Sequence, residues 1–470
     1  MPYRDMREYL GVLERAGKLK RITREVDRDW ELAAVTRTVF QKIPEAVRPA
    51  LLFERVKGFD IPVAVGILGG SGAIYALALE TEEERVWERW RDAQAHPIPP
   101  VLVPDGPCKE HVLKGEEADL RAFPHPVWTP GRDPSPYITA ACVCTRDPET
   151  GQQNVGTYRV QIQEKDQAGI YINVTHGGAR HISKNEAAGR PTELAIVLGA
   201  DPVVGLVGVS TVSPSTDELA VAGGLRGAPL EVVKGETVDL EVPASAEIVI
   251  EGIVPCGGRR WEGPFGEFTG YMGPAGDNYQ FQVTGITHRD RPIYHGYMSQ
   301  MPPSESSCMR RVGFEAPLRH HLRGLGLQVR DVHYPESGCA AYIILISMKK
   351  RFEGEPKQAI WGTWAFDPRH GKIVIVVDED IDIRDPFAVD WALSVHMQPH
   401  RDIHIEPDTP SAPLDPSIVP AGVAHHERSR MLSSKVGIDA TRKHAYPEVA
   451  LPAREYLDRV WQQWREYGFD

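Results

Sequence analysis

The chain has 470 residues, of which 41% are hydrophobic and 25% are charged. These shares are those of an ordinary globular protein, and they exclude a fibrous repeat and a disordered chain. Lys and Arg total 53 while Asp and Glu total 65, and the resulting net charge of −12 argues against nucleic acid as a partner.

Size and cysteine use add further constraints. A chain of this length exceeds the size at which one hydrophobic core keeps growing, so we expect two or three domains. None of the six cysteines forms a CxxC pair, which predicts free thiols in a reducing compartment. The N-terminus carries charges throughout, and no stretch approaches the ~20 apolar residues of a membrane span. We therefore predict a cytoplasmic protein with no membrane span.

The first part of the chain has the pattern of a small α/β domain. Apolar residues at helical spacing predict an amphipathic helix over 5–16, and a second helix is expected near 30–41. Short apolar runs at 50–56 and 61–67 predict strands. The Pro-rich stretch HPIPPVLVP follows, so we place the boundary of this N-terminal α/β domain, 1–110, just beyond it.

The remaining chain divides into a β-rich centre and a C-terminal part. Many short β-type runs predict a barrel or sandwich over 111–310, and a helical pattern at 314–323 predicts a linker helix within 311–330. The runs YIILISM and KIVIVVDED predict buried strands, and a helix is expected near 386–396. These elements indicate a C-terminal α/β domain over 331–470.

An apolar stripe lies close to the end of the sequence. Its members are Tyr456, Leu457, Val460, Trp461 and Trp464. Such a stripe is more often a packing face than a cofactor site. We expect it to pack against the same or a neighbouring subunit, which predicts a homodimer or a higher homo-oligomer.

The segment Asn154-Val-Gly-Thr-Tyr-Arg159 leads into a predicted strand. Residues an odd number apart face opposite sides of an ideal strand, so Asn154 and Arg159 serve one site only if Gly156 permits a bulge or turn. Arg159 can hold a substrate carboxylate in a bidentate fork. The alternative is a cross-strand salt bridge.

Two further segments carry weaker signals. In His176-Gly-Gly-Ala-Arg-His181 the glycines leave backbone N–H groups free to approach a phosphate, and Arg180 can add charge. A Gly-Gly turn between strands explains this pattern as well. Glu218, in STDELAVAGGLRG, is either a metal ligand or an acid at the start of a helix.

Asn154, Glu218 and a bound phosphate together form an all-oxygen site. Such a site suits Mg²⁺ or Mn²⁺ better than zinc, so Asn154 and Glu218 are the candidate metal ligands. The acidic run Asp378-Glu379-Asp380 follows an apolar strand and is typical of a solvated loop, so we leave it outside the site.

Two carboxylates stand five positions apart in Glu262-Gly-Pro-Phe-Gly-Glu267. The intervening Gly and Pro exclude a regular helix or central strand, so we predict a shaped loop that holds both. In one cleft, like charge raises one pKa while a nearby Arg keeps the other group ionised. One acid can then donate a proton near neutral pH. The alternative is a solvated surface turn.

Together these segments resemble the UbiD family, which includes octaprenyl-hydroxybenzoate decarboxylases and ferulic acid decarboxylases. The resemblance covers nearly the whole chain, and the joint occurrence of the motifs is far more specific than any single one. In order, they are NVGTYR, HGGAR, LGADP, STDELAVAGGLRG, LEVPASAEIVIEG, EGPFGEFTGY and SKVGIDAT.

The resemblance implies a multidomain α+β fold with a central split β-barrel domain that binds prenylated FMN. An N-terminal α/β domain and a C-terminal α/β oligomerisation domain flank it. The resemblance also implies Mn²⁺ or Mg²⁺ at the cofactor phosphate, K⁺ as a further cation, and a flavin prenyltransferase as the supplier of the cofactor.

Carried over by position, Asn154 and Glu218 are the metal ligands, and Arg159, Glu262 and Glu267 are the catalytic residues. The positions that line the cofactor are Thr157, Tyr158, Arg159, Tyr171, Ile172, Asn173, His176, Gly177 and Lys435. The ferulic acid branch has a metal-binding His in this stretch, but ungapped counting from Arg159 reaches Gly177, one place beyond His176. The pattern is closer to the hydroxybenzoate branch, in which this stretch lines the cofactor.

The implied function is reversible, non-oxidative decarboxylation of an aromatic, heteroaromatic or α,β-unsaturated carboxylic acid. The flavin acts as an electron sink, Arg159 orients the acid, Glu267 donates the proton, and Glu262 tunes that proton. Two alternatives stay open. One is a two-carboxylate hydrolase such as a glycosidase. The other is a flavin- or phosphate-binding module whose Arg and Glu residues are structural ion pairs.

Overall fold

A computed structural model describes residues 3–210, 212, 216–410, 412, 414–418, 420, 423, 425–428 and 430–469. Within them the strands form five sheets, and helices pack beside these sheets. The chain therefore has the mixed helix-and-sheet fold that its sequence predicts. The first residue of the motif STDELAVAGGLRG, Ser215, lies outside the described residues.

The N-terminal part begins with the predicted amphipathic helix, Met6–Arg15. The side chain of Asp5 caps it by accepting a hydrogen bond of 2.9 Å from the backbone N–H of Glu8. Its buried face consists of Met6, Tyr9, Leu10 and Leu13, which confirms the predicted apolar stripe. The helices that follow are Glu31–Lys42, Gly72–Ala78 and Val86–Ala95.

The N-terminal sheet includes a strand from far along the chain. Its order is Leu19–Ile22, Ala50–Phe53, Val63–Val65 and Tyr294–Gly296. The apolar runs at 50–56 and 61–67 thus form strands as predicted, and the fourth strand pairs parallel to the third. One hydrophobic cluster extends from Tyr3 to Met309. The segments before and after residue 110 therefore share a sheet and a core.

A ten-stranded sheet forms the centre of the molecule. Its spatial order is Tyr137–Ile138, Val160–Ile162, Gln167–Ile170, Gly276–His288, Ile248–Val254, Thr192–Leu198, Cys142–Arg146 and Gln153–Thr157. Two more strands, His111–Lys114 and Arg259–Glu262, pair with the long strand Gly276–His288. The end strands of this order do not pair with each other among the described residues. The sheet is thus not a closed barrel, and the split β-barrel stays a prediction.

Small sheets and three helices surround the central sheet. The Pro-rich stretch enters a three-stranded sheet in the order Glu241–Pro243, Glu231–Lys234 and Val101–Leu102. The strands Phe265–Gly266 and Met272–Gly273 form a two-stranded sheet. The helices are Gly177–Ala187, Pro202–Gly208 and Glu218–Arg226. All three contact the strand Gln153–Thr157, which carries Asn154.

A long helix, Glu305–Gly324, connects the central and C-terminal parts. It begins well before the predicted range 314–323, because buried polar side chains in its first turn interrupt the apolar periodicity. Ser304 and Ser307 cap it reciprocally, each side chain accepting a hydrogen bond from the backbone N–H of the other, at 3.2 Å and 2.9 Å.

The C-terminal part contains a five-stranded sheet. Its order is Val329–His333, Ile343–Met348, Ile373–Asp378, Leu432–Ala440 and Ile403–Pro410. Both predicted apolar strands are therefore confirmed, and they pair parallel to each other. The helices of this part are Glu355–Phe366, Pro386–His396, Pro399–Asp402, His425–Arg428 and Arg454–Gln462. The one at 386–396 also matches its prediction.

The terminal helix Arg454–Gln462 carries four residues of the apolar stripe and buries none of them within the described chain, and Trp464 follows in the short helix Trp464–Tyr467. The side chain of Trp461 is 70% exposed, and its ring centroid lies 5.3 Å from that of Trp464. The stripe is therefore an uncovered apolar surface, as a packing face for another subunit would be.

Two other expectations were tested by the fold. The six cysteines are unpaired, as predicted. Among the described residues, no helix combines the length and the apolar character needed to cross a membrane.

Candidate active site

Arg159 lies in a break between two strands of the central sheet. The strand Gln153–Thr157 ends before Tyr158, and the next strand begins at Val160. The predicted bulge or turn at Gly156 is wrong, because this residue pairs in regular register with the neighbouring strand. A Cβ at Gly156 would lie 2.4 Å from Oη of Tyr158, so glycine makes room for the tyrosine side chain. The strand ends two residues before Arg159, at Thr157, so Arg159 is not part of a paired strand.

Glu262 and Glu267 lie on the two sides of a tight turn. Glu262 is the last residue of the strand Arg259–Glu262, so the prediction that both carboxylates belong to a loop is wrong for Glu262. Gly263 and Pro264 follow only where the strand has ended, and they therefore do not disturb it. Gly263 adopts a φ of 94°, a conformation that favours glycine.

Both carboxylates bind the same guanidinium group. Arg159 donates from Nε to Oε1 of Glu262 at 2.8 Å and from Nη2 to Oε2 at 2.9 Å, a bidentate pair. Its Nη1 donates to Oε1 of Glu267. Glu262 is fully buried, and Asn278 donates a further hydrogen bond of 2.8 Å to its Oε2. The ring of Tyr171 covers the guanidinium at 4.3 Å from its Cζ.

The two carboxyl groups differ in accessibility. The side chain of Glu267 is 14% exposed, whereas that of Glu262 is not exposed at all. Burial raises the pKa of Glu267 above its ordinary value, because it disfavours the charged form. The positive charge of Arg159 opposes this rise, and the negative charge of Glu262 adds to it. The network thus contains one reachable carboxyl group that holds its proton more strongly than in water.

A second cluster forms around Asn154. Glu218 is the first residue of the helix Glu218–Arg226, and its Oε2 accepts a hydrogen bond of 3.3 Å from the backbone N–H of Val155. The helix start thus places this carboxylate beside Asn154, and burial raises the pKa of Glu218 to about 7. The side-chain nitrogen of Asn154 is buried and has no hydrogen-bond partner among the described residues. Such an orphaned amide indicates a ligand position.

The helix Gly177–Ala187 begins against this cluster. A Cβ added to Gly177 would lie 1.8 Å from Oδ1 of Asn154, so only glycine permits this approach. The Gly-Gly pair therefore starts a helix, and the alternative of a turn between strands is wrong. His176 precedes the helix, and its side chain makes no capping hydrogen bond. The N–H groups at the start of a helix point away from it, and this helix start therefore suits a phosphate.

The donors of this cluster fit a hard cation together with a phosphate. Asn154 and Glu218 offer oxygen ligands, and the start of the helix offers N–H groups. In the described part of the chain, no three His, Cys, Asp or Glu side chains gather around one metal position. A cation held by Asn154 and Glu218 would therefore take its remaining ligands from the phosphate and water.

Several predicted cofactor-lining residues lie between the two clusters. The hydroxyl of Tyr158 accepts a hydrogen bond of 3.4 Å from the backbone N–H of Gly178, and its ring stacks on that of His176 at 5.7 Å. Burial lowers the pKa of His176, and so do the positive charges around it. Thr157 carries a buried hydroxyl with no partner among the described residues. Tyr158 thus contacts both His176 and the start of the helix Gly177–Ala187.

The other residues predicted to line the cofactor lie in different environments. Ile172 is buried, and Oδ1 of Asn173 accepts a local hydrogen bond of 3.1 Å from the backbone. Lys435 lies apart, because its Nζ donates to the carbonyl oxygens of Pro368 and His370, each at 2.7 Å. Burial lowers the pKa of Lys435 to about 8. No contact joins its ammonium group to the other candidate residues in the described chain.

The sequence motifs do not include two arginines that lie near Glu267. Arg310 belongs to the helix Glu305–Gly324, and Arg428 ends the short helix His425–Arg428. Arg310 opposes the rise in the pKa of Glu267, and Glu267 in turn acts on the pKa of Arg428. Both come from the C-terminal part of the chain, where no spacing links them to the motifs. Only the tertiary fold brings them to the site.

Three family profiles match successive parts of the chain. They are those of the 3-octaprenyl-4-hydroxybenzoate carboxy-lyase N-terminal domain over 10–94, its Rift-related domain over 101–302 and its C-terminal domain over 308–440. The chain belongs to the UbiD family of carboxy-lyases. The family resemblance and the predicted enzyme class are thereby confirmed.

Relatives of known structure share this mixed α+β multidomain fold. The UbiD-class enzyme HmfF from Pelotomaculum thermopropionicum, in complex with FMN, is 37% identical with a TM-score of 0.84, covering 96% of this chain and 98% of its own. An evolved dimeric form of HmfF, in complex with prenylated FMN, is 36% identical with a TM-score of 0.82, covering 97% and 98%.

Two further relatives extend the comparison. The vanillic acid decarboxylase of Sedimentibacter hydroxybenzoicus is 30% identical with a TM-score of 0.83, covering 99% of this chain and 100% of its own. The uncharacterized protein sll0936 of Synechocystis is 34% identical over 497 residues, covering 99% of this chain and 96% of its own. UbiD-type sequence and fold thus extend over nearly the whole chain.

Proposed function

We propose that the protein catalyses the reversible, non-oxidative decarboxylation of an aromatic, heteroaromatic or α,β-unsaturated carboxylic acid with prenylated FMN. The observation that carries this proposal is the buried network of Arg159, Glu262 and Glu267 beside a corner suited to a metal and a phosphate. The complexes of HmfF with FMN and prenylated FMN support a flavin cofactor.

The cofactor would occupy the space between the two clusters. Asn154 and Glu218 would hold Mn²⁺ or Mg²⁺, and the start of the helix at Gly177 would bind the cofactor phosphate. When bound, prenylated FMN supplies the sink for the electron pair that the departing carbon dioxide leaves behind. K⁺ as a further cation stays a prediction from the family resemblance. A flavin prenyltransferase would supply the cofactor.

Arg159, Glu262 and Glu267 would each have a separate role in the reaction. Arg159 uses three of its five N–H donors on Glu262 and Glu267, so the others are available to orient the substrate carboxylate. Glu262 fixes the plane of the guanidinium and balances its charge. Glu267 would deliver its proton to the carbon that has lost carbon dioxide, and it would take the proton back during carboxylation.

Neither alternative function, a glycosidase or a flavin-binding module, accounts for all features of the site. A glycosidase places its carboxyl groups on the two sides of a glycosidic bond, whereas here one guanidinium bridges them, and the cluster at Asn154 would have no role. A flavin-binding module without catalysis has no need of a reachable carboxyl group with a raised pKa. The decarboxylase uses both clusters.

Co-expression with a flavin prenyltransferase tests the proposal. The purified protein should show flavin absorbance, and it should release carbon dioxide from some member of a panel of aryl, heteroaryl and acrylic acids. Colourless protein would contradict a flavin enzyme. Flavin-loaded protein that releases no carbon dioxide from any acid would favour the binding module.

Glu218→Ala should lower the metal and flavin content together. The carboxylate is expected to bind the cation, which in turn balances the charge of the phosphate, so each ligand should help to retain the other. We expect metal retention to fall by about tenfold or more. Metal analysis and flavin absorbance of the purified variant measure this. Glu231→Ala, which removes an exposed carboxylate on the following strand, is the control. Undiminished metal and flavin would remove Glu218 from the site.

The uncovered stripe on the terminal helix should form a contact between subunits. The double variant Trp461→Lys and Trp464→Lys should reduce the molar mass of the protein, because it places two charges in an apolar face. Light scattering at micromolar concentration measures the mass. Gln462→Lys, on the same helix, is the control for added charge. A wild-type protein that is strictly monomeric would contradict the predicted homo-oligomer.

A further inference from the structure

Glu267 lies on a small hairpin that stands apart from the central sheet. Its strands, Phe265–Gly266 and Met272–Gly273, pair only with each other in the described part of the chain. A two-stranded hairpin is marginally stable on its own. The ion pair with Arg159 cannot fix it alone, because this pair loses its charge attraction whenever Glu267 is protonated. The position of Glu267 therefore depends on what else the hairpin contacts.

Two side chains lie against the residue before Glu267. A Cβ added to Gly266 would lie 2.7 Å from Cγ of Gln300 and 2.9 Å from Oγ1 of Thr129, so the backbone of the hairpin touches both side chains. These side chains also bind each other, since Nε2 of Gln300 donates a hydrogen bond of 2.8 Å to Oγ1 of Thr129. A hydrogen-bonded pair thus supports the strand that leads to Glu267.

Gln300 belongs to a segment that is held at both ends. The segment follows the strand Tyr294–Gly296, which pairs with the N-terminal sheet, and it precedes the helix Glu305–Gly324. Within it, the backbone N–H of Tyr297 donates a hydrogen bond of 2.8 Å to Oγ1 of Thr139. The side chain of Gln300 is buried. Its amide therefore has little freedom to move away from the hairpin.

Thr129 is fixed by a short turn. Its backbone N–H donates a hydrogen bond of 2.7 Å to Oδ2 of Asp133, and its carbonyl oxygen accepts one of 3.0 Å from the backbone N–H of Asp133. These two bonds close the turn on itself. The hydroxyl of Thr129 is thus a fixed acceptor for the amide of Gln300.

We propose that Thr129 and Gln300 are positioning residues, whose hydrogen bond holds the hairpin so that Glu267 stays buried against Arg159. This inference rests on the proposed function, and it adds two residues that act on the proton donor through the backbone of Gly266. Placement of a reacting group matters because an error of about 1 Å can cost a hundredfold in rate.

A looser hairpin would change the pKa of Glu267 as well as its position. Burial is the strongest influence on this pKa and raises it, so contact with water should bring it back towards its ordinary value. Less of the carboxyl group would then hold a proton at neutral pH, and the rate should recover as the pH is lowered. The other charged and titratable groups around Glu267 would be unchanged in sequence. They are Glu262, Arg159, Arg310, Arg428, Tyr171 and Tyr342.

Thr129→Val and Gln300→Met test the inference. Each variant nearly keeps the shape of the side chain and removes one end of the hydrogen bond. In flavin-loaded protein at neutral pH, kcat for decarboxylation should fall by about 10- to 100-fold, while KM changes by less than about threefold. The loss should shrink at acidic pH. Thr129→Ser keeps the hydroxyl and should stay within about threefold of the wild-type rate.

The titration of Glu267 can also be followed without any reaction. Its protonated carboxyl group gives the infrared band that Glu267→Gln removes, and the pH dependence of this band in substrate-free protein reports the pKa. Thr129→Val and Gln300→Met should both titrate at lower pH than the wild type. Thr363→Val is the control, because it removes a buried hydroxyl that donates to the carbonyl oxygen of Ala359 at 2.8 Å. It should change neither the rate nor the titration.

The two measurements separate the possible outcomes. An unchanged titration of Glu267 in Thr129→Val and Gln300→Met would overturn the inference, whatever their rates. An equal loss of rate in Thr363→Val would overturn it too, since that result reports a general loss of stability. A shifted titration in a protein that releases no carbon dioxide from any acid would support the positioning role and contradict the decarboxylase.

Discussion

Glu267→Gln should lower the rate of decarboxylation by about a hundredfold or more, while flavin and metal stay bound. The amide keeps the shape of the side chain and can still accept the hydrogen bond from Nη1 of Arg159, but it has no acidic proton. Burial raises the pKa of Glu267, so the carboxyl group is protonated at a pH at which an ordinary glutamate is ionised. Binding and chemistry should therefore separate in this variant.

The sign of the pH dependence follows from the same shift. The active form of Glu267 is the protonated one, so the wild-type rate should fall as the pH rises through its raised pKa. Carbon dioxide release and deuterium incorporation from heavy water, measured on flavin-loaded protein, report the rate and the proton transfer. Glu164→Gln, which removes an exposed carboxylate paired with Arg260, is the matched control and should leave both unchanged.

If Glu267 had only a structural role, we would expect the opposite effects on stability and rate. If it served only as an ion-pair partner of Arg159, the variant would unfold at a lower temperature and the folded fraction would keep a near-normal rate. A variant that retains half of the wild-type rate would therefore rule out Glu267 as the proton donor.

The elements predicted best from the sequence are those whose burial appears in the local pattern. The helix Met6–Arg15 buries one stripe, and the strands Ile343–Met348 and Ile373–Asp378 are continuous apolar runs. The helix shows helical spacing of its apolar residues, and each strand shows a short unbroken apolar run, as expected of a fully buried strand. Each element therefore shows in the sequence without knowledge of its partners.

Other features depend on distant partners and leave no local trace. Glu305 is fully buried at the start of the long helix, where its carboxylate accepts hydrogen bonds from the backbone N–H groups of Gly66 at 2.9 Å and Leu68 at 3.1 Å. A buried acid is tolerable only with such donors, and these come from the N-terminal part of the chain. For the same reason the helix was predicted to begin too late, and the pairing of Tyr294–Gly296 with the N-terminal sheet was not foreseen.

The candidate site shows the same division. Arg159, Glu262 and Glu267 lie in dense motifs that single them out by residue type, although the strand break and the strand end that position them were not predicted. The proximity of Asn154 to Glu218 came from the family resemblance, because no spacing rule relates a strand to a helix start more than sixty residues later. No sequence pattern pointed to Arg310, which lies on a helix whose apolar residues show little periodicity.

Gly177→Ala should abolish most flavin binding without unfolding the protein. The added Cβ would lie 1.8 Å from Oδ1 of Asn154, far closer than any contact between atoms that are not bonded. The backbone of Asn154 is held in a paired strand whose next N–H is bound by Glu218, so only its side chain can turn away. Either the start of the helix moves, with the N–H groups expected to hold the phosphate, or the Asn154 side chain leaves the position expected for a metal ligand.

The helix propensity of alanine should strengthen the helix, so a loss of flavin can be separated from a weakened helix. Alanine favours a helix over glycine by about 1 kcal/mol, so a loss of flavin in the variant would not follow from a weaker helix. Gly313→Ala is the matched control, since an added Cβ meets nothing within 4 Å in the helix Glu305–Gly324. Flavin absorbance and thermal unfolding of the three proteins measure both effects.

A double variant identifies the part played by Asn154. Asn154→Ala removes the atom that the new Cβ would strike, so adding it to Gly177→Ala should restore the position of the helix and any thermal stability lost through the clash. The metal should still be lost, because one of its two expected side-chain ligands is gone. Full recovery of metal and flavin in the double variant would show that the helix alone holds the cofactor. Asn154 would then be a packing neighbour of Gly177 and not a ligand.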